Sequence, residues 1–242
     1  MTQTITTVSS LSAKDILLGA TLPQKTKSYS PVSHRDVIDF TLEQIDKTGL
    51  KLHSERYNSN SSGTVGNGFY RIEGFGDEEM GVELAWQNSL DKSLSLKWAV
   101  GGQVFICTNG MVRGDIGTFK RKHTGTILQE YGDAVKRYIG DAEQHFAKLL
   151  SDKNVMKEIT VSPRQVAELA GRLYLEKDII TSTQLNIVKR ELAHPTHDYK
   201  TPGSLWEFYN YITFSLKEAH PLHHMRQHTD VHSFMLEEFN IN

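Results

Sequence analysis

The strongest constraint on the fold is a change in the spacing of apolar residues, from helical to strand-like and back. The first regime is VSHRDVIDFTLEQIDKTGL, residues 32–50. Ser33 is a favourable N-cap with Asp36 at the capping-box position, and Val32 and Val37 stand where a hydrophobic staple forms. Val37, Thr41, Leu42 and Ile45 share one helical face. Gly49 suits the left-handed residue that ends a helix. The second regime is LKLHSERY, GFYRIEGF, MGVELAWQNS, SLSLKWAVG and QVFICTN, short runs with aromatic or β-branched residues and period-two alternation. NSNSSGTVGNG, GDEE, LDK and GG separate them with turn-forming residues. Sequential strands joined this way predict an antiparallel meander. NSNSSGTVGNG, the longest and most polar break, is expected to be an exposed tip.

From about Thr126 the helical period returns. Ile127, Leu128, Tyr131, Val135, Tyr138, Ile139, Ala142, Phe146 and Leu149 form one amphipathic stripe, which Gly132 and Gly140 weaken. Ser162-Pro163 opens another helix with an N-cap followed by proline. Segments from Thr181 to about Leu192, SLWEFYNYITFSLKEAH, and a last stretch to about Glu238 follow. The expected fold class is α+β: a helix, an antiparallel β-meander, a long helix across the sheet, then a small C-terminal helical unit. Residues 1–30 read as an N-terminal arm, 31–152 as the α+β core domain and 153–242 as the C-terminal helical unit.

The 242 residues carry 27 Lys and Arg against 29 Asp and Glu, for a net charge of −2. That balance excludes a uniformly basic nucleic-acid binder but not a local basic face. One cysteine excludes an internal disulfide and a cysteine-rich metal site, and suits a reducing cytoplasm. The N-terminus lacks the basic start and apolar core of a signal peptide. No apolar run approaches the roughly 20 residues that a membrane span needs, so no membrane partner is expected.

Against this balance, VFICTNGMVRGDIGTFKRKHTG (residues 104–125) gathers positive charge. Lys92, Lys97, Arg113, Lys120, Arg121, Lys122 and His123 lie in one stretch, opposed there only by Asp91 and Asp115. Cations on strand ends and a glycine-rich loop suit a phosphate backbone, and Trp86, Trp98, Phe105 and Phe119 offer rings for stacking bases. The candidate nucleic-acid-binding residues are therefore Lys97, Arg113, Lys120, Arg121, Lys122 and His123. The plainer alternative is a solvated basic face over a core of aromatics. Leu94, Leu96 and Trp98 share one strand face, which points to a buried Trp98.

Other polar residues have structural readings. Asn109-Gly110 is a tight-turn signal, and Cys107 before it reads as a small buried hydrophobe. As a catalytic thiol it would need a partner such as His123 to lower its pKa. Asn88, Ser89, Asp91 and Ser93 read as an Asx-type turn. A polar site would instead place Asn88 and Asn109 on neighbouring strand tips. His220, His224, His228 and His232 are four apart, so neighbouring pairs stack on one side of a helix, a spacing that can bind zinc. However, Pro221 interrupts the start and no His-Glu-x-x-His arrangement occurs. There is no phosphate-binding Gly-x4-Gly-Lys-Ser/Thr loop, nucleophile elbow or Rossmann fingerprint. No catalytic residue, metal ligand or cofactor is assigned.

Several short segments carry a resemblance. HRDVID, Gly49-Leu50, NSLDKS (Asn88–Ser93), ICTNG (Ile106–Gly110) and KHTG (Lys122–Gly125) resemble a phage- and plasmid-associated family catalogued as a domain of unknown function. LWEFYNYIT (Leu205–Thr213) resembles its C-terminal aromatic helix. The resemblance implies a phage or mobile-element protein but no particular reaction. The order helix, meander, long helix is also similar to the core of ring-forming single-strand annealing recombinases, a likeness that does not fix function. The expectation is a non-enzymatic homo-oligomer that binds single-stranded nucleic acid and promotes strand annealing or recombination. One alternative is a protein–protein module that inhibits or redirects a host or phage protein, marked by an exposed apolar patch on the Trp206–Phe214 helix. The other is a histidine-dependent metal enzyme.

Overall fold

The computed structural model describes residues 12–107, 109–112 and 118–241. Arg113 and Asp115 of the basic stretch lie outside the described residues. Two helices, α1 (Ala13–Gly19) and α2 (His34–Lys47), precede β1 (Leu52–Ser59), β2 (Val65–Gly76), β3 (Met80–Ser89), β4 (Leu96–Val104), β5 (Gly110–Met111) and β6 (Thr118–Arg121). Then come α3 (Ile127–Gly140), α4 (Ala142–Glu158), α5 (Pro163–Gly171), α6 (Ser182–Ala193), α7 (Leu205–Ser215) and α8 (Pro221–Phe239). The fold is α+β with an antiparallel meander, as the change of period requires. No helix of the described residues is long and apolar enough to cross a membrane.

The meander runs β1-β2-β3-β4, and two short strands share the outer edge of β4. β6 pairs with residues 96–99 and β5 with residues 102–103. Because side chains alternate along a strand, the sheet has two unlike faces. Met80, Val82, Leu84 and Trp86 of β3 and Leu96, Trp98, Val100 and Val104 of β4 join the main core beneath α2, α3 and α4. Their opposite neighbours are small or polar: Glu83, Ala85 and Gln87 on β3, and Lys97, Ala99 and Gln103 on β4. The N-terminal half of α8 crosses this second face, where Met225 joins a small cluster of Phe69, Ala85, Ala99 and Val112. The main core is continuous from Leu17 to Ile241, so α5–α8 share it with the sheet.

Local signals behave as their chemistry dictates at α2. Ser33 and Asp36 form the reciprocal capping box, and Gly49 takes a left-handed φ of 72° just past the C-cap. Four expectations change. First, β4 runs unbroken through Gly101-Gly102, so QVFICTN is not a separate strand. A side chain at Gly102 would lie 2.9 Å from the Met80 sulfur, so this glycine serves close packing instead of a turn. Second, only residues 60–64 of NSNSSGTVGNG turn, while Val65, Asn67 and Gly68 are buried in β2. A Cβ on Gly68 would sit 2.3 Å from the Trp86 indole nitrogen. Third, the long helix breaks between Gly140 and Asp141 into α3 and α4, and Leu128 points to solvent. Fourth, the arm carries a capped helix, α1, whose Leu17 is buried against Gly66.

These close approaches generate a stability prediction. Gly68→Ala should cost about 1–3 kcal/mol, because the methyl group meets a rigid ring. Gly140→Ala, with nothing within 4 Å of its Cβ position, should be neutral or stabilising. Denaturant midpoints of the two variants against the parent check the contrast.

Candidate nucleic-acid interface

Strand pleat divides the basic stretch. In the β4–β6 register Lys97 faces Lys120 directly, and both lie on the face crossed by α8. Arg121 points to the opposite face and pairs with Glu130 of α3 at 2.8 Å. Lys122 lies beyond the strand, on a separate pocket shared with Lys92 and His123. His123 is only 4% exposed and belongs to a hydrogen-bonded core. The rings proposed for stacking are also committed elsewhere. Trp86 and Trp98 are fully buried in the main core, and the Arg71 guanidinium covers the Phe105 ring at 3.9 Å. Phe119, half-buried against Tyr131 of α3, shares the face of Arg121, across the sheet from Lys97 and Lys120.

Lys97 and Lys120 open into a cleft of about 220 Å³ between the sheet edge and α8. Arg226 and Asp230, one turn apart on α8, form its far wall, with Arg226 Nε 3.9 Å from Asp230 Oδ2. Met225 and Val112 supply apolar surface. Burial, then the nearby charges of Lys120 and Arg226, push the Lys97 ammonium below its ordinary pKa. Burial pushes the Asp230 carboxyl up, against the attraction of Arg226 and Lys97. Among the described residues the site thus combines three cations with one carboxylate in a partly desolvated recess. Arg226 and Asp230 were missed from sequence because they lie more than a hundred residues from the lysines. The only signal was their i, i+4 spacing.

A different set of polar residues is locked inside. Asn88 donates through Nδ2 to the Val32 carbonyl (3.0 Å) and to His34 Nδ1 (3.1 Å), and its Oδ1 accepts from His123 Nε2 (2.8 Å). His34 Nε2 in turn donates to the Gly63 carbonyl at 3.0 Å. Accepting at Nδ1 and donating at Nε2 defines a neutral imidazole, and burial holds His34 down at about 4. Asp91 makes the Asx turn, bonding the Ser93 N–H at 2.9 Å.

Asn109 lies at the other end of the sheet from Asn88, so the two do not build a shared site. It donates to the Asn210 carbonyl of α7 at 2.9 Å, and Asn210 Nδ2 bonds the Trp206 carbonyl. Cys107 is buried beside Asn210, and burial pushes its thiol up, the reverse of nucleophile activation. The α7 helix buries Trp206, Phe208, Tyr209, Tyr211 and Ile212, so it offers no exposed aromatic patch.

The histidine run is dispersed in the same way. Pro221 opens α8, and His220 is its N-cap, accepting from the Leu222 N–H. His224 and His228 are buried with rings 4.6 Å apart, and His232 faces Asp152 at 3.1 Å. Among the described residues no three His, Cys, Asp or Glu groups converge to hold a metal ion.

A family model described as a domain of unknown function (DUF932) matches residues 22–234. The chain belongs to the DUF932 family. No curated protein and no solved structure matches it. Within this DUF932 chain, the two asparagine networks join segments that stand far apart in sequence. HRDVID, NSLDKS and KHTG meet at Asn88, and ICTNG meets the aromatic helix at Asn210.

Two predictions follow from the burial of these groups. Asn88→Leu leaves the Val32 carbonyl, His34 and His123 without their partner, at a cost on the order of 3 kcal/mol or more; urea unfolding measures it. Acid should also destabilise the fold between about pH 6.5 and pH 4.5. His34 and His224 are held down at about 4, and burial lowers His123 and His228 as well. The unfolded chain therefore takes up protons that the folded chain refuses, and stability falls as pH falls. Glu83 and Asp230, raised by burial, oppose this but are fewer. Asp77, Glu79 and Asp91 are lowered and lose their contribution only at still lower pH. Unfolding midpoints at pH 7.5 and pH 5 check the sign, and His224→Phe should shrink the difference.

Proposed function

We propose that this DUF932 protein binds single-stranded nucleic acid in the cleft between the β4–β6 edge and α8. The observation that carries the reading is the Lys97–Lys120 cross-strand pair facing Arg226 in one recess. Like charges directly opposite on a sheet repel, and partial burial sharpens the repulsion. A bound polyanion relieves both and releases its counterions. Binding of this kind needs no cofactor, and assembly into a homo-oligomer multiplies a modest site. The biological reading is a non-enzymatic phage or mobile-element protein that acts in the cytoplasm of a bacterial host and promotes strand annealing. Its support is the helix–meander–helix order, an analogy of fold.

The test is titration of a labelled single-stranded oligonucleotide at several salt concentrations. The parent protein should bind at low salt. The Lys97→Gln, Lys120→Gln, Arg226→Gln triple variant should melt like the parent, bind more weakly for every sequence, and lower the salt slope by about 2. Arg121→Gln, on the other face and already paired with Glu130, should bind as the parent does. A parent protein that does not bind even at low salt overturns the reading.

A further inference from the structure

We propose that the same cleft recognises a terminal phosphate, a phosphomonoester at the end of a strand, in preference to the internal phosphodiesters. The inference rests on the nucleic-acid reading of this cleft and narrows it. Its first support is the arrangement of the cations. A strand tracked along its backbone meets a row of cations. Here Arg121 is on the other sheet face, and Lys122 and Lys92 belong to a different pocket. Lys97, Lys120 and Arg226 instead converge on one recess from two elements, β-sheet edge and helix.

Charge points the same way. Among the described residues that line the cleft, three cations stand against the single carboxylate of Asp230, an excess of two positive charges. An internal phosphodiester carries one negative charge, whereas a phosphomonoester carries about −1.5 to −2 at neutral pH. The terminal group also has three oxygens to share among three donors, and the fork of Arg226 suits two of them at once. Size is the third argument. The cleft, about 220 Å³, has room for a phosphate group between the strands and α8. Met225 and Val112 give the sugar or the first base an apolar wall. Asp230 opposes any anion here, so the carboxylate sets a threshold that a dianion passes more readily than a monoanion.

Two sources share this chemistry, a phosphorylated strand end and a free mononucleotide, and the experiment separates them. The same labelled oligonucleotide is prepared with a 5′-phosphate, a 3′-phosphate and hydroxyls at both ends. Each is titrated with the parent protein, and inorganic phosphate and a nucleoside monophosphate are titrated by calorimetry. A phosphorylated end, at either terminus, should bind about tenfold or more tighter than the hydroxyl form, as expected for added hydrogen bonds to a charged group. The preference should shrink as pH falls below about 6, where the phosphomonoester takes up a proton. It should vanish in the triple glutamine variant, and in Arg226→Gln alone, which changes only the α8 wall. Asp230→Asn should strengthen binding of every form. Equal affinity for phosphorylated and hydroxyl ends overturns the inference while leaving the single-strand reading in place. So does a preference that survives in both variants. If no oligonucleotide binds but the monophosphate does, the single-strand reading fails and the phosphomonoester site stands with a free nucleotide as its ligand. If nothing binds, both fail.

Discussion

The pleat of β4 is the constraint on which the rest of the molecule depends. Consecutive residues of a strand point to opposite faces, so Trp98 and Lys97 are neighbours in sequence and separated by the sheet in space. One face receives indoles and branched aliphatics, and burying them beneath three helices supplies most of the driving force. The other receives alanines, amides and a lysine, and takes a single helix over a small apolar cluster. A one-residue slip in register would exchange the two sets. The core and the cationic cleft are thus two consequences of one alternation.

Polar anchors then fix how the remaining segments lie on this sheet. Asn88 uses both amide hydrogens and its carbonyl oxygen, and Asn109 and Asn210 fasten the end of the meander to α7. A buried amide is tolerated when its partners are in place and costly when they are not. Such residues therefore specify one arrangement more sharply than apolar contacts do. Several of the short segments that carry the family resemblance contribute to these anchors. Their chemistry is architectural, which accounts for polar motifs in a chain without a catalytic signature.

The distribution of charge follows from the same geometry. A cluster that is dense in sequence is dispersed by the pleat, by the Glu130 ion pair and by burial of His123. What concentrates charge in space is the passage of α8 across the sheet edge, which brings Arg226 to Lys97 and Lys120. The cleft is shallow in sequence information but specific in its chemistry: three donors, one opposing carboxylate and an apolar wall.

The α+β class, the meander, the capped α2 and the burial of Trp98 were legible in the sequence, because each depends on spacing or on a local cap. The pattern SLSLKWAV alternates whatever surrounds it, and Ser33 with Asp36 closes its box within one turn. Glycines were legible only as glycines. Gly102 and Gly68 read as breaks but serve contact with Met80 and Trp86, and those partners belong to another strand. The long apolar stripe after Thr126 did not reveal its division at Gly140, since the period continues through the break. The candidate site divides in the same way. Lys97 and Lys120 were visible as cations, but their pairing across β4 and β6 depends on register, and Arg226 and Asp230 depend on where α8 docks. Local sequence determined which residues carry charge and which elements they sit on. Only tertiary structure decided which charges face one another, because convergence is set by long-range packing that no local spacing encodes.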